Sequence, residues 1–250
     1  MLVEALLYAT TPVPKHLRAM GHLAELIGIR ARIARCRSSW ATHLNHCRAM
    51  IETWAQSSPG RSRAVIMGGA FCHDLPLRAL SEQFSELVVI DLAHPWWISL
   101  WDPGNVRRLA IDVTGTLSTV YATRICSEPM EPTLPEADLY LSVNLASQLP
   151  CVSGDWLEDQ GVAEAEIAAW SRRVIQSHFD WLRTLPGSVG LISEIEERII
   201  REGEIVGRRD SLFGAIPPKM SATWTWDIAP LGEVYADRAI RLIVGAAKVS

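Results

Sequence analysis

The 250-residue sequence predicts an α/β fold in which helices cover both faces of a mostly parallel sheet. Short, continuous apolar runs, as at 64–67 and 87–90, are typical of strands that are buried on both faces. From residue 64 onward such runs alternate with helical stretches, which is the rhythm of βαβ units. The three- and four-residue apolar spacing between Pro14 and Trp54 predicts a helical segment before the sheet.

The composition excludes a disordered chain, because hydrophobic residues make up 48% of it. A formal net charge of −4 argues against recognition of nucleic acid or an anionic membrane by bulk charge, and leaves local basic patches open. The five cysteines show no CxxC spacing, which favours a reducing cytoplasm and predicts no metal site. No apolar run approaches the roughly 18 residues that span a bilayer. We therefore expect a cytoplasmic protein with a small-molecule partner, and the oligomeric state stays open.

Residues 1–60 are predicted to form a helical cap. Two amphipathic helices are expected there, broken near Ser38 and Ser39, and the turn chemistry of residues 56–60 ends the second. The apolar residues that recur at helical spacing are Leu17, Met20, Leu23, Ala24 and Ile27, then Trp40, Leu44, Cys47, Ile51 and Trp54. This segment is basic, with 9 basic and 3 acidic side chains in residues 1–63.

Residues 61–250 are predicted to form the sheet domain. Strands are expected at 64–67, 87–90, 109–113, 137–143 and 187–192, and helices at 75–84, 96–101 and 163–185. The stretches 224–228 and 239–244 are strand-like with little helix between them, so they predict a terminal hairpin that is antiparallel to the rest.

The strongest signal for a ligand site follows the first predicted strand. The strand runs into Gly68 and Gly69, and then into Asp74 and Pro76, which suit a helix cap and first turn. Glycines let the backbone approach a ligand closely. A tight turn without a ligand explains a lone glycine pair equally well.

Two acids follow the next two predicted strands. Asp91 lies 23 residues after Gly68, the spacing at which an acid at a strand end meets a ribose. A carboxylate suits a diol because it accepts two hydrogen bonds at once. Asp112, 21 residues later, closes the third predicted strand. Since ligands of open α/β sheets bind at the carboxyl ends of strands, we expect the glycines and both acids to share one site.

This order of glycine turn, two strand-end acids and final hairpin resembles the class I S-adenosylmethionine-dependent methyltransferases over residues 60–250. The resemblance implies a three-layer α/β/α Rossmann-like fold with a seven-stranded sheet, mostly parallel, whose terminal strand is antiparallel. It implies S-adenosylmethionine as the cofactor and methyl transfer as the reaction. The implied cofactor-binding residues are Gly68, Gly69, Ala70, Asp91, Leu92, Asp112, Val113 and Asn144.

Within that set, the resemblance implies that the two glycines line the methionine part, that Asp91 binds the ribose, and that Asp112 or Val113 contacts the adenine. The loop, Gly68-Gly69-Ala70-Phe71-Cys72, departs from the family's GxGxG. A second hypothesis is therefore a catalytically degenerate binding or assembly protein. A third is an RNA or protein methyltransferase that docks its target on the basic N-terminal helices. A dinucleotide-binding Rossmann domain is disfavoured because GxGxxG is absent.

Catalytic candidates come from the first and fourth strand ends. In the family the segment that follows the fourth strand faces the transferred methyl group. Asn144, with Ser147 and Gln148, is therefore a candidate for orienting the acceptor. A polar turn without such a role explains these residues as well. The candidate bases are His73 and Asp74, and also His43 if its helix covers the site.

Three other groups have structural explanations beside functional ones. His43 and Cys47 form an i, i+4 pair, but no third and fourth metal ligands are evident. Trp96, Trp97 and Trp101 follow Asp91, where packing explains them better than stacking on adenine. The arginines at 30, 32, 35 and 37 either form a solvated helix face or touch an anionic substrate.

Overall fold

The computed structural model describes residues 2–249, and a single eight-stranded sheet is at its centre. The strands are β1 (Arg63–Met67), β2 (Glu86–Asp91), β3 (Val106–Ala110), β4 (Leu139–Val143), β5 (Ser188–Arg201), β6 (Glu204–Asp210), β7 (Ala222–Ala229) and β8 (Ala239–Val249). Their order is β3-β2-β1-β4-β5-β8-β7, and β6 pairs with β5 off this path. Strands β1 to β5 are parallel, and β8 lies antiparallel between β5 and β7.

The predicted fold class and the antiparallel terminal hairpin are confirmed, but the predicted number of seven strands is wrong. The eighth strand, β6, was missed because it is polar and mostly exposed, so it has no apolar run. It pairs with residues 196–201 of β5, beyond the parallel sheet. Glu202 and Gly203, with φ of 52° and 87°, form the tight turn between the two strands.

The described helices are α1 (Leu2–Thr10), α2 (Lys15–Ala19), α3 (His22–Arg35), α4 (Arg37–Gln56), α5 (Leu77–Gln83), α6 (Leu117–Thr123), α7 (Cys151–Asp159) and α8 (Glu164–Leu182). The predicted helix break near Ser38 lies instead at Cys36, between α3 and α4. A second break precedes α3 at Gly21, whose φ of 96° is unfavourable for residues with a side chain. Within residues 2–249, no helix is long and apolar enough to cross a membrane.

Helices cover both faces of the sheet, as the continuous apolar strands predict. Ile66 of β1 packs in one core with α4 and α5, and its neighbours Val65 and Met67 pack on the opposite face with α8. Helix α4 also contacts β7. Helix α4 therefore shares the core of the sheet, and the domain boundary at residue 60 stays a prediction.

The third strand lies earlier than predicted, at Val106–Ala110 instead of 109–113. It is an edge strand whose residues are partly buried or exposed, so it has no apolar run. The apolar residues Ile111 and Val113 follow the strand and pack against the core from a loop. Asp112 consequently lies two residues beyond the strand end.

Candidate functional site

A cavity of about 260 Å³ lies at the carboxyl ends of the parallel strands. This volume is close to the lower end of the roughly 300–1,000 Å³ that small-molecule sites occupy. Residues after β1, β2, β3 and β4, together with Glu194 of β5, line one side, and α3, α4 and β7 line the other. Among the candidate cofactor-binding and catalytic residues from the sequence, only Gly69 and Ser147 are absent from the cavity lining.

The cavity has two ends with different residues. We call Gly68, Ala70, Asp91, Asp112 and Val113 the β1–β3 end. We call Asp74, Asn144, Glu194, His43 and Trp226 the β4–β5 end.

Both glycines of the first loop are required by packing. Gly68 has a φ of 89°, and a Cβ atom there would lie 2.4 Å from the Val143 carbonyl oxygen. A Cβ atom on Gly69 would lie 2.8 Å from Val89 Cγ1, on the core side of the loop. Gly69 therefore packs against β2, whereas Gly68 and Ala70 line the cavity.

Arg108 of β3 holds this loop from behind, a role that the sequence did not reveal. Its guanidinium forms a two-pronged ion pair with Asp102, with nitrogen to oxygen distances of 2.7 and 2.8 Å. It also donates to the Ala70 carbonyl at 3.2 Å and to the Cys72 sulfur at 3.3 Å. Cys72, at a φ of 53°, donates from its thiol to the Gly69 carbonyl. These bonds fix the loop although it lacks the GxGxG pattern.

Asp91 connects the ends of β1 and β2. Its Oδ2 accepts the Ala70 backbone N–H at 3.0 Å, and its Oδ1 accepts the Leu92 N–H at 2.8 Å. Burial raises the pKa of Asp91 to about 6, and the two N–H bonds oppose that shift. Each carboxylate oxygen keeps acceptor capacity, so Asp91 can receive two further hydroxyl donors.

Asp112 lines the cavity, but its carboxylate is already used by the loop that precedes α6. Its oxygens accept the Thr114 N–H at 2.9 Å, the Thr114 hydroxyl at 2.6 Å and the Leu117 N–H at 2.9 Å. The neighbouring Val113 also lines the cavity. Its backbone N–H makes no hydrogen bond within residues 2–249. The Asp112 carboxylate is thus already used by its own loop, whereas the backbone N–H groups of both Asp112 and Val113 make no hydrogen bond within residues 2–249.

Asn144 lies directly after β4 with a φ of 48°. Its backbone N–H donates to the Ile192 carbonyl at 2.9 Å, and its Nδ2 donates to Asp74 Oδ2 at 2.7 Å. Burial raises the pKa of Asp74, and this amide bond opposes the shift. The Asn144 Oδ1 atom is buried and has no hydrogen-bond partner in the described part of the chain.

Glu194 is the main functional candidate that the sequence reasoning missed. Its side chain is 1% exposed, and its Oε2 accepts the Ser147 hydroxyl. Its Oε1 is buried without a partner among the residues described. Burial raises the pKa of Glu194. In the sequence the acid lies two residues beyond the end of the predicted fifth strand, 187–192, although β5 itself continues to Arg201.

His43 of α4 is part of the cavity wall and is fixed by two tryptophans. Its ring stacks on Trp226 with a centroid distance of 3.9 Å, and Trp224 Nε1 donates to its Nδ1 at 3.0 Å. Burial lowers the pKa of His43 to about 3. Since Nδ1 accepts a hydrogen bond, the neutral ring carries its proton on Nε2, which lies 3.3 Å from Asn144 Nδ2 and 3.5 Å from the Cys47 sulfur. No group of three metal-ligating side chains occurs in residues 2–249.

The remaining candidates lie at the margins of the site. His73 and Gln148 line the cavity, and burial lowers the pKa of His73. Trp96 and Trp101 are 58% and 82% exposed, so packing in the core does not explain them. Trp96, Trp97 and Trp101, which were considered for stacking on adenine, are not among the cavity-lining residues of the described chain. Trp97 packs under Arg30.

The arginine run of α3 has different surroundings at different positions. Arg35 forms an ion pair with Glu233 at 2.6 Å. Arg32 lines the cavity, and its buried Nε has no partner within the described range. The run is therefore not a uniformly solvated face.

Comparisons with known proteins give distant structural similarities. No family model and no curated protein matches the chain. One solved structure is a proposed type II methyltransferase from Anaeromyxobacter dehalogenans, 12% identical, with a TM-score of 0.34 over 81% of this chain and 96% of that one. A second is an S-adenosylmethionine-dependent methyltransferase from Leishmania major, 12% identical, with a TM-score of 0.35 over 98% of this chain and 81% of that one.

A third is a proposed methyltransferase in complex with the Haloferax volcanii Trm112 methyltransferase activator. It is 13% identical, with a TM-score of 0.32 over 84% of this chain and 96% of that chain. The fold assignment rests on the strand order and on the antiparallel position of β8.

Proposed function

We propose that this chain is an S-adenosylmethionine-dependent methyltransferase that acts on a small-molecule acceptor. The main support for this proposal is the position of Asp91. Its carboxylate ends β2, is bonded to the loop after β1 and lines one cavity with Gly68 and Val113. That arrangement suits a nucleoside whose ribose diol meets the acid at the second strand end.

The residues of the β1–β3 end fit such a cofactor. Asp91 has acceptor capacity for two hydroxyls, and the Val113 N–H is a free donor for a ring nitrogen of adenine. The charges also fit, because S-adenosylmethionine is a cation overall. The charged side chains that line the cavity in the described chain are one arginine, Arg32, and five acids, Glu25, Asp74, Asp91, Asp112 and Glu194.

The protein's own contribution to methyl transfer is to position the acceptor and to take its proton. S-adenosylmethionine supplies a methyl group that its sulfonium has already activated. Asn144 is held by Asp74 and by the Ile192 carbonyl, so its Oδ1 has a fixed position in the cavity. Glu194 supplies a buried carboxylate oxygen with no other partner in the described chain. Helices α3 and α4 contribute residues to the wall of the same cavity.

Isothermal titration calorimetry with S-adenosylhomocysteine tests the proposal. We expect saturable binding at one site per chain, and no binding of NAD⁺, which the absence of a GxGxxG loop disfavours. Circular dichroism should confirm that the protein is folded and mass spectrometry that it is free of ligand. Folded, ligand-free protein that does not bind S-adenosylhomocysteine would refute the proposal.

A second experiment separates small-molecule acceptors from macromolecular ones. Protein incubated with methyl-labelled S-adenosylmethionine should label a pool of small metabolites and leave RNA and protein pools unlabelled. Label confined to RNA or protein would favour a macromolecular methyltransferase. Binding without any label would favour the degenerate binding protein.

A further inference from the structure

We propose that the β4–β5 end of the cavity binds an organic amine with an aromatic or apolar body. This inference rests on the proposed function where it takes the amine to be the methyl acceptor. The binding claim itself depends only on the residues of this end.

Two buried hydrogen-bond acceptors at this end lack donors. Asn144 Oδ1 and Glu194 Oε1 both belong to cavity-lining residues, and neither has a partner within residues 2–249. A buried polar atom without a hydrogen bond costs free energy, and the cost is larger for a charged group. A ligand that brings N–H groups to these oxygens removes that cost. These two oxygens therefore call for N–H donors from a ligand, while the buried Trp226 Nε1, which also has no partner in the described chain, leaves one donor at this end for the ligand body.

The electrostatic surroundings favour a cationic donor group. Glu194 and Asp74 interact unfavourably with each other, and this contributes to the raised pKa of Glu194 after burial. Neither carboxylate forms an ion pair with an arginine, lysine or histidine of the described chain. The charge of Arg48 acts on Asp74 without forming an ion pair with it, so an ammonium group would supply the direct ionic partner that both carboxylates lack. A carboxylate or phosphate on the ligand would add repulsion at the same point.

The walls beside these oxygens suit a flat or apolar body. Trp226 stacks on His43 and meets the edge of Trp40 at 4.9 Å between ring centroids. The aliphatic side chains Ile33, Leu44 and Ile228 also line the cavity. Tryptophan rings attract cations electrostatically, so the same wall can hold the ammonium and the apolar part.

Glu194 also gives the amine a route to its reactive form. An ammonium ion has no lone pair, so one proton must leave nitrogen before the nitrogen can act as a nucleophile. On transfer to Glu194 Oε1, the ammonium becomes a neutral amine and the carboxylate becomes a carboxylic acid, with no other reactant needed. Burial favours this neutral form of Glu194, because it raises the pKa of the side chain.

The test compares three probes of similar shape and different charge: 2-phenylethylamine, 2-phenylethanol and phenylacetate. Each is titrated calorimetrically into the full-length protein, with and without saturating S-adenosylhomocysteine. We expect the amine to bind at least about tenfold more tightly than the alcohol, as a charge-assisted hydrogen bond predicts. We expect no measurable binding of phenylacetate. Equal affinity for the amine and the alcohol, or no saturable binding of the amine, would overturn the proposal.

Two glutamine variants on the same strand give a matched comparison. Glu194→Gln should weaken amine binding about tenfold and leave alcohol binding unchanged, because it removes the charge and keeps the shape. Glu196→Gln should change neither, since Glu196 pairs with Arg198 and Arg208 outside the cavity. Amine affinity that stays the same in folded Glu194→Gln would contradict the assignment. Amine titration of Asn144→Gly tests the second acceptor, Asn144 Oδ1, independently. Glycine retains the backbone freedom that a φ of 48° requires.

The S-adenosylhomocysteine titration keeps the two proposals separate. Amine binding without S-adenosylhomocysteine binding would retain the amine site and refute the methyltransferase proposal. S-adenosylhomocysteine binding without preference for the amine would retain the methyltransferase proposal and refute the amine site.

Discussion

The two ends of the cavity differ in how far the protein itself pairs their polar groups. At the β1–β3 end, the carboxylates of Asp91 and Asp112 accept five hydrogen bonds, four of them from backbone N–H groups. At the β4–β5 end, Asn144 Oδ1 and Glu194 Oε1 are buried without partners in the described chain. The first end is therefore preorganised by its own loops, and the second is completed by a ligand.

Removal of the aromatic wall should have the largest effect on the free energy of unfolding. It should also show whether the two ends of the cavity bind their ligands independently. Trp226→Ala is expected to lower the free energy of unfolding by about 3–5 kcal/mol, as for other buried tryptophans. Trp226 packs in the main core and against the ring of His43. Urea denaturation measures this loss. Calorimetry should show nearly unchanged S-adenosylhomocysteine affinity, and a large loss of that affinity would show that the two ends are not independent.

Asp91→Ala should produce the opposite pattern. We expect it to weaken S-adenosylhomocysteine binding by about 1–3 kcal/mol, the scale for losing hydrogen bonds to a charged group. Binding of 2-phenylethylamine at the β4–β5 end should stay unchanged. If the folded variant binds S-adenosylhomocysteine as tightly as the wild type, the ribose assignment is wrong.

The pH dependence of stability tests the neutral state of His43. Its pKa of about 3 in the folded chain lies below its ordinary value of roughly 6.5. The unfolded chain therefore binds more protons between these values, and the folded state loses stability as pH falls. In His43→Phe, the loss of unfolding free energy from pH 7 to pH 5 should be smaller by about 2 kcal/mol.

This comparison needs urea denaturation of both proteins at both pH values. The phenylalanine preserves a ring against Trp226 and removes the titrating group, so other histidines contribute equally to both proteins. Identical pH dependence would mean that His43 is not held neutral by burial.

Asn144→Ala should have the smallest effect on binding and a selective effect on turnover. We expect methyl transfer to slow about tenfold, the equivalent of one hydrogen bond of about 1.4 kcal/mol, while S-adenosylhomocysteine affinity is largely kept. Asn144→Gly is the control for the left-handed backbone, since alanine is strained at a φ of 48°. Normal turnover in both variants would make the residue structural.

The same difference between the ends explains which parts could be predicted from sequence. The β1–β3 end is built from consecutive strand–loop units, so regular spacing along the chain revealed Gly68 and Asp91. The β4–β5 end joins α4, the β4 junction, β5 and β7, which are distant in the sequence. The proximity of Glu194 to Asn144 depends on the pairing of β4 with β5, which the spacing of one sequence does not contain.

Other differences from expectation have equally local causes. The third strand was misplaced because its apolar residues lie in the loop after it, and β6 was missed because it is an exposed polar strand. The glycine loop follows β1 as predicted, and its glycines are needed for packing against β2 and β4. Its stability without a GxGxG pattern depends on Arg108, which is brought there by strand pairing.

A crystal structure of the protein with bound S-adenosylhomocysteine tests the central claim most directly. We predict that the ribose hydroxyls lie within hydrogen-bond distance of Asp91, that adenine accepts the Val113 N–H, and that the sulfur faces Asn144 and Glu194. A nucleoside bound away from Asp91, or a sulfur directed away from the β4–β5 end, would contradict the account.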